Sequence, residues 1–442
     1  MRPKARLATI CAATLVLVLS SGAGSAYTYK KLYDFCSKFA CADGANPAAG
    51  LLADAGGNLF GTTINGGGGF QGGGTIFELS YDARKQAWKY QRLHDFCHKS
   101  GCGDGAAPRA ALIMDVHGNL YGESAGSPIL QSICGSVFEL QPQGAGKKPN
   151  FVLLHAFPNV FECPQGGAPL GTLSYAGKSS GLLYDGTSPL YGAAENGGNG
   201  GLIFSLAPTG SNWTYGDIYD FCSGTHCSDG DQPEAEATVS PEGNLLGTTA
   251  GGGKNDEGTL YELSPGSSRW SEQVLYDFCS MGKCKDGYFP IGDLAADSTG
   301  AYFGTASQGG TRHQGCCGTL YKLTPLGAGW TYDVIHDFCS LRDCKDGAAP
   351  QGSLFMDSTG ALYGATQAGG GHNGIGVGSG GGTVFRWNGT SLETLYAFCA
   401  AGGNCEDGTQ PNGITIGASG NLFGTTAEGG KYGAGVVYEL TP

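Results

Sequence analysis

Leu32-Tyr33-Asp34-Phe35-Cys36 decides the fold, because the 442-residue chain repeats it. It returns as Leu93-His94-Asp95-Phe96-Cys97, as the degraded Leu154-His155-Ala156-Phe157, and as Ile218-Tyr219-Asp220-Phe221-Cys222. Leu275-Tyr276-Asp277-Phe278-Cys279, Ile335-His336-Asp337-Phe338-Cys339 and Leu395-Tyr396-Ala397-Phe398-Cys399 complete the set. The phenylalanines stand 61, 61, 64, 57, 60 and 60 residues apart. Seven copies covering nearly the whole chain describe one supersecondary unit arrayed against itself.

Each period holds four strand-like runs. In the first copy they are Ala48 to Asp54, Leu59 to Ile64, Thr75 to Ser80 and Trp88 to Phe96. Branched and aromatic residues fill the runs, and Gly, Asn and Asp, which tolerate positive φ, fill the joins. The abundant glycine (81 residues) therefore marks turns of an ordered chain, although such a composition often signals low complexity. The reading is an all-β fold, a seven-bladed β-propeller of four-stranded antiparallel blades. The chain stops at Leu440-Thr441-Pro442 after a third strand, and Tyr27 to Phe35 looks like an orphan fourth. Pairing the two closes the ring and removes exposed strand edges; an open solenoid leaves both orphans unexplained.

Ahead of the repeats, Arg2, Lys4 and Arg6 precede an apolar run from Leu7 to Leu19, and Gly24-Ser25-Ala26 offers a small-residue cleavage pattern. Residues 1–26 read as a Sec-type signal peptide, the alternative being a membrane anchor that polar Ser20 and Ser21 cut short. Residues 27–442 then form a single propeller domain, secreted or periplasmic, with no membrane span. Loss of the leader's three basic residues takes the net charge from −13 to −16, which repels phosphate backbones and argues against a nucleic-acid partner.

Sixteen cysteines follow the leader. Twelve form local pairs at fixed spacing, Cys36/Cys41, Cys97/Cys102, Cys222/Cys227, Cys279/Cys284, Cys339/Cys344 and Cys399/Cys405, which read as disulfides in an exported protein. Zinc fits poorly, because each pair lacks a second pair or a histidine set. The third copy has Pro158 in place of cysteine, so Cys163 is expected to bridge to Cys134 in the preceding glycine-rich loop. Cys316 and Cys317 are adjacent, and either a vicinal disulfide or a free, redox-labile pair is compatible with the sequence.

Several marks recur in order: Leu-Tyr-Asp-Phe at 32–35, Asp-Gly-x-x-Pro at 43–47, Gly-Asn-Leu-Phe-Gly-Thr-Thr at 57–63 and Gly-Thr-Ile-Phe-Glu-Leu at 74–79. In these the chain resembles the Gloeobacter/Verrucomicrobia tandem repeat of exported bacterial proteins, over about nine tenths of its length. The resemblance implies export and repeat architecture, and no established reaction or catalytic residue. Members often end in a C-terminal sorting anchor; its absence here favours a released or periplasmic form.

Propeller geometry puts the joins from strand 1 to 2 and from 3 to 4 on one face, mostly tight turns such as Asp115-Val116-His117-Gly118-Asn119. The other face receives the disulfide loops and the glycine-rich insertions, and long loops on a rigid scaffold are where binding usually resides. On that side two residue columns of the first strand should approach the central channel. They are Ala48, Arg109, Leu170, Glu234, Ile291, Gln351, Asn412, and Gly50, Ala111, Thr172, Glu236, Asp293, Ser353, Ile414. Glu123 stands where most copies have Thr or Ala. Arg109, Glu123, Glu234, Glu236 and Asp293 thus gather near one side of the channel mouth, as drift at tolerant positions, a Ca²⁺ site, or an acid/base pair acting on a sugar.

His313 and His372 lie in long glycine-rich loops and are further ligand-binding candidates. His94, His155 and His336 occupy the tyrosine position of the repeat and read as structural, as do the repeated Asp-Gly pairs. Trp88, Trp213, Trp270 and Trp330 recur before strand 4 and read as blade packing. No Walker loop or H-E-x-x-H motif is present. The expectation is a binding or scaffold module taking a carbohydrate or protein at the disulfide face, with no required cofactor and calcium as an option. The alternative is a polysaccharide lyase or hydrolase using the channel-mouth carboxylates. Oligomeric state is not readable from the sequence.

Overall fold

The computed structural model describes residues 27–68, 72–98, 101–126, 133–144, 147–158, 163, 166–210, 212–311, 317–327, 329–371, 380–400 and 403–442. The leader reading, His313, His372 and Cys316 lie outside the described residues. Cys317 is buried. Seven antiparallel sheets follow one another along the chain. Blade 1 consists of Leu52–Ala53, Leu59–Thr63, Thr75–Asp82 and Ala87–Asp95. Blades 2 to 6 end on the strands Asn150–Pro158, Asn212–Asp220, Ser271–Asp277, Gly329–Asp337 and Leu392–Ala397.

Blade 7 is completed as expected. Thr28–Asp34 pairs antiparallel with Val436–Thr441, with Thr28 opposite Thr441 and Asp34 opposite Val436. Its innermost strand is split into Thr409–Pro411 and Thr415–Ile416, both paired with Leu422–Glu428. The innermost strands are shorter than the sequence suggests: blade 1 pairs only over Leu52–Ala53 and not along the whole run from Ala48 to Asp54. Close approach at the axis explains this. A Cβ on Gly50 would lie 3.3 Å from the backbone of Gly413, so residues 48 to 51 follow the channel wall and leave the ladder.

The repeated Gly-Thr-Thr motif has a packing cause. A Cβ on Gly61 would lie 2.6 Å from the Phe77 ring, and Gly192, Gly304 and Gly424 stand against Phe204, Tyr321 and Tyr438 in the same way. A third-strand aromatic thus packs against a second-strand glycine, and the ring at this position is fully buried in all seven blades. Between blades, rings of successive fourth strands stack: Tyr33 on Tyr90 (4.4 Å), His94 on Phe151 (4.1 Å) and His155 on Tyr215 (4.2 Å). Tyr276 on Tyr332 (3.8 Å) and Tyr396 on Tyr29 (4.9 Å) continue the series. At the junction of blades 3 and 4 the second ring is replaced by Glu272, which is held up at about 7, chiefly by burial. Trp88, Trp213 and Trp270 reach Phe423, Tyr121 and Tyr191 of the preceding blade, whereas Trp330 meets Tyr302 of its own.

All seven expected disulfides are present: Cys36–Cys41, Cys97–Cys102, Cys134–Cys163, Cys222–Cys227, Cys279–Cys284, Cys339–Cys344 and Cys399–Cys405. The second cysteine of each local pair does more than close a loop. Cys41, Cys102, Cys227, Cys284, Cys344 and Cys405 all take a left-handed backbone, with φ between 45° and 51°. Their carbonyls are thereby turned toward glycine amides. Cys41 O accepts from Gly44 and Gly67, Cys227 O from Gly230 and Gly253, and Cys284 O from Gly287 and Gly310. Cys344 O accepts from Gly347 and Gly370, and Cys405 O from Gly408 and Gly430, all at 2.8 to 3.0 Å. In blade 2 the Gly105 amide reaches Cys102 O at 2.9 Å. Each such carbonyl ties the Asp-Gly turn to the glycine-rich loop beside it, and the bridge fixes where that carbonyl stands.

The Asp of each Asp-Gly pair organises the same loop from its other side. Asp43 accepts bonds from the Ser37 amide (3.0 Å) and hydroxyl (2.6 Å), the Lys38 amide (3.1 Å) and the Tyr33 hydroxyl (2.7 Å). Asp229 and Asp346 repeat the pattern, with His336 taking the tyrosine's place at 3.1 Å from Asp346. Gly44 follows at φ +89°, and a Cβ there would meet Thr63 Oγ1 at 2.5 Å, so only glycine fits. These aspartates are structural.

Candidate functional site

The mouth of the central channel holds a cavity of about 330 Å³. All seven residues of the outer column line it, joined by Gly50, Ala111, Thr172, Asp293 and Ser353 of the inner one. The repeat thus supplies one wall position per blade. A rigid ring of short strands fixes each Cα, and the side chains differ because the fold asks nothing of them there.

Arg109, Glu234 and Asp293 meet in this cavity, as the sequence suggests. Glu195 stands beside them on the second strand of blade 3, acting on Glu234 through its charge. Burial raises the carboxyl of Glu195 above its usual range, with the Arg109 charge opposing. Burial, aided by Glu195 and opposed by Arg109, pushes Glu234 up to about 7. None of Arg109, Glu195, Glu234, Gln351 or Gln367 makes a side-chain hydrogen bond or ion pair with the described residues. Asp293 is satisfied, accepting from the Glu236 amide (2.7 Å), the Ser353 hydroxyl (2.5 Å) and the Thr172 hydroxyl (3.4 Å). The Asn412 amide group donates to Pro47 O and Thr425 Oγ1, both at 2.9 Å.

Glu123 and Glu236, expected beside these at the mouth, are withdrawn behind it, with 1% and 7% of their surface exposed. The cause is a longer join between strands 1 and 2 of blade 3. It carries the short turn Lys178–Ser180, and Lys178 reaches into the channel from the opposite face to pair with Glu236. The same ammonium donates to Leu173 O at 3.0 Å. Burial outweighs this pairing and holds Glu236 at about 7. Glu123 replaces the threonine that elsewhere ties a second strand to the next blade, as Thr62 does to Ala110 O (3.3 Å) and Thr425 to Ala49 O (2.8 Å). Neither of its oxygens has a partner, and burial, opposed by Lys178, pushes its carboxyl far up.

The bridged cysteines stand apart from this cavity. Cys36, Cys41, Cys97, Cys102, Cys134, Cys163, Cys222, Cys227, Cys279, Cys284, Cys339, Cys344, Cys399 and Cys405 are absent from its lining. Their bridges and carbonyls frame the loops of that face, and the wall itself is made by the first and second strands. The bridged cysteines frame the face on which the cavity opens without lining it.

Sequence reasoning missed Lys178, Glu195 and Gln367. The first was signalled by the longest spacing of the series, the 64 residues that separate Phe157 from Phe221. The other two lie in a third column on the second strand, where the remaining copies have Ile64, Ala125, Ala250, Ser307 and Ala427.

The calcium option gains nothing from this geometry. Among the described residues, the acid and sulfur atoms that approach within metal-binding reach are those of Glu257, Cys279 and Cys284. The two cysteines are bridged to each other, so they offer no thiolate, and a lone carboxylate does not hold a hard cation.

The chain belongs to the Gloeobacter/Verrucomicrobia repeat family, which matches residues 14–225, 177–377 and 317–442. No curated protein sequence matches it. Among solved structures it is similar to a putative 6-phosphogluconolactonase from Bacteroides uniformis, at 11% identity and a TM-score of 0.47 over 83% of this chain and 88% of that one. It is also similar to a polysaccharide lyase of the ulvan lyase type, at 10% identity and a TM-score of 0.48 over 90% and 94%. Trypanosoma rangeli sialidase follows at 7% identity and a TM-score of 0.40 over 82% and 57%. Likeness at this level carries no argument about chemistry.

Proposed function

We propose that this is an exported propeller that binds the end of a carbohydrate chain in the channel mouth of its disulfide face. One observation carries the reading: Arg109, Glu234, Gln351 and Gln367, with Glu195 beside them, gather at one cavity with no side-chain hydrogen-bond or ion-pair partner among the described residues. Arg109 is exposed, but Glu195, Glu234, Gln351 and Gln367 are partly buried, and such polar groups left unpaired are unfavourable unless something else completes them. Paired amides, carboxyls and a guanidinium suit vicinal hydroxyls, which donate and accept at once. The volume is at the small end of ligand pockets, so it admits a terminus and not a length of chain. Seven disulfides suit an oxidising compartment, and no helix among the described residues is long and apolar enough to cross a membrane.

A glycan array followed by calorimetry tests this. Arg109→Ala and Gln351→Ala should each weaken the best glycan at least ~10-fold, the ratio that about 1.4 kcal/mol gives. His117→Ala, on the opposite face, should not. Binding that ignores both cavity substitutions refutes the assignment.

A second reading, a polysaccharide-active enzyme, is favoured by Glu234. A carboxyl poised near 7 beside a second carboxyl suits acid/base work on a glycosidic bond. Incubation with neutral and acidic polysaccharides, following reducing ends and unsaturated products, separates the two. Turnover abolished in Glu234→Gln would establish the enzyme.

A further inference from the structure

The charges around the cavity constrain what the bound group can be, given that the channel mouth is the binding site proposed above. Around it stand three acidic side chains, Glu195, Glu234 and Asp293, against one guanidinium, Arg109. Asp293 has its donors within the protein. Glu195 and Glu234 have none among the described residues, and exposed Arg109 acts on them only through space. Behind the wall, Glu123 is buried with both oxygens unbonded, in the field of Asp293 and Glu236. The ammonium nearest to them, Lys178, enters from the other face and is taken up by Glu236 and Leu173 O. The chain as a whole is acidic, with a net charge of −13. The side of the cavity lined by Glu234, with Glu195 next to it, therefore lacks a paired cation among the described residues, and the opposite side, with Gln351, Gln367 and Asn412, offers neutral amides to hydroxyls.

We infer that the terminal sugar carries a free, protonated primary amine, seated between Glu195 and Glu234, with its hydroxyls on the amides of blades 6 and 7. An ammonium supplies three donors to carboxyl groups that accept none among the described residues, and its charge favours their ionised form against the burial that raises them. An acetylated amine loses the charge and keeps one N–H. A uronic acid would set its carboxylate against three others and is disfavoured.

The test is calorimetry on the chain from residue 27 onward, at pH 6.5, with four trisaccharides: glucosamine, N-acetylglucosamine, glucose and galacturonate. The glucosamine trimer should bind at least ~10-fold tighter than its acetylated form, and added salt should narrow the gap. Glu195→Gln with Glu234→Gln should erase the preference, so that the variant binds the glucosamine trimer no tighter than it binds the acetylated one. An acetylated or neutral trimer that binds as tightly as the amine overturns the inference and leaves the channel-mouth site standing. If none of the trimers binds and the glycan array is also blank, the site reading fails and takes this inference with it.

Discussion

Replacing Lys178 by methionine keeps the stem of the side chain and removes the ammonium paired with Glu236. In the wild type the Glu236 carboxyl rises from its ordinary 4.5 to about 7, because burial outweighs the attraction of Lys178. A carboxyl raised in the fold binds protons that the unfolded chain has released, so it lowers stability as pH climbs from 4.5 to 7 and adds nothing further above 7. At roughly 1.4 kcal/mol per unit, that window represents about 3 kcal/mol. Without Lys178 the folded carboxyl stays protonated beyond 7, and the decline continues. The difference between variant and wild type should therefore be flat below pH 7 and grow by about 1.4 kcal/mol per unit above it. Guanidinium unfolding from pH 5.5 to 9, followed by tryptophan fluorescence with the disulfides intact, reads this directly. Adding Glu236→Gln to the methionine variant should abolish the extra slope. Parallel slopes for wild type and Lys178→Met above pH 7 would refute the pairing.

Glu272→Tyr should restore the missing ring stack on Tyr219 and offer a hydroxyl to Asp229 O, as Tyr90 does to Asp43 O at 2.7 Å and Tyr332 to Asp286 O at 2.5 Å. A gain of about 1 kcal/mol is expected, seen as a higher unfolding midpoint. Cys134→Ser with Cys163→Ser opens a loop of 29-residue separation and should lower stability by roughly 3–4 kcal/mol, whereas opening Cys36–Cys41 should remove about 2. Burial works against Asp43, Asp229 and Asp346, yet their loop hydrogen bonds win and hold all three below 3.8. Their contribution is complete above pH 4 and lost below it, so acid titration by circular dichroism should show unfolding that begins under pH 4, and Asp346→Asn should blunt it.

The period, the blade count and the closing strand were legible because each is written many times over. Leu-Tyr-Asp-Phe recurs with its glycines, and a copy that deviates, such as Pro158 at the cysteine position, is itself informative: it pointed to Cys134–Cys163. The outer channel column was equally legible, since register fixes which residue each blade turns inward. Legibility ended where one blade departs from the repeat. Lys178 sits in an insertion without counterparts, so no register predicted that it would cross the channel and draw Glu236 away from the mouth. Glu195 escaped because the columns were drawn on the first strand alone, whereas Glu195 lies on the second, between Ala194 and Asn196, which pair with Pro169 and Gly167. Innermost pairing over only Leu52–Ala53 depends on how closely the innermost backbones approach. The cysteines were legible as pairs, but the carbonyl role of Cys41 or Cys344 depends on a left-handed backbone that residue type alone does not announce.

The seam between Thr28–Asp34 and Val436–Thr441 sets an order of events during synthesis. Its two halves are made hundreds of residues apart, so the earlier strand must wait, unpaired, for the later. A nascent chain interrupted anywhere in between keeps two raw edges and stays a substrate for proteases. Only a product that holds both halves can lock. Ring closure is thereby the last step to which the fold commits.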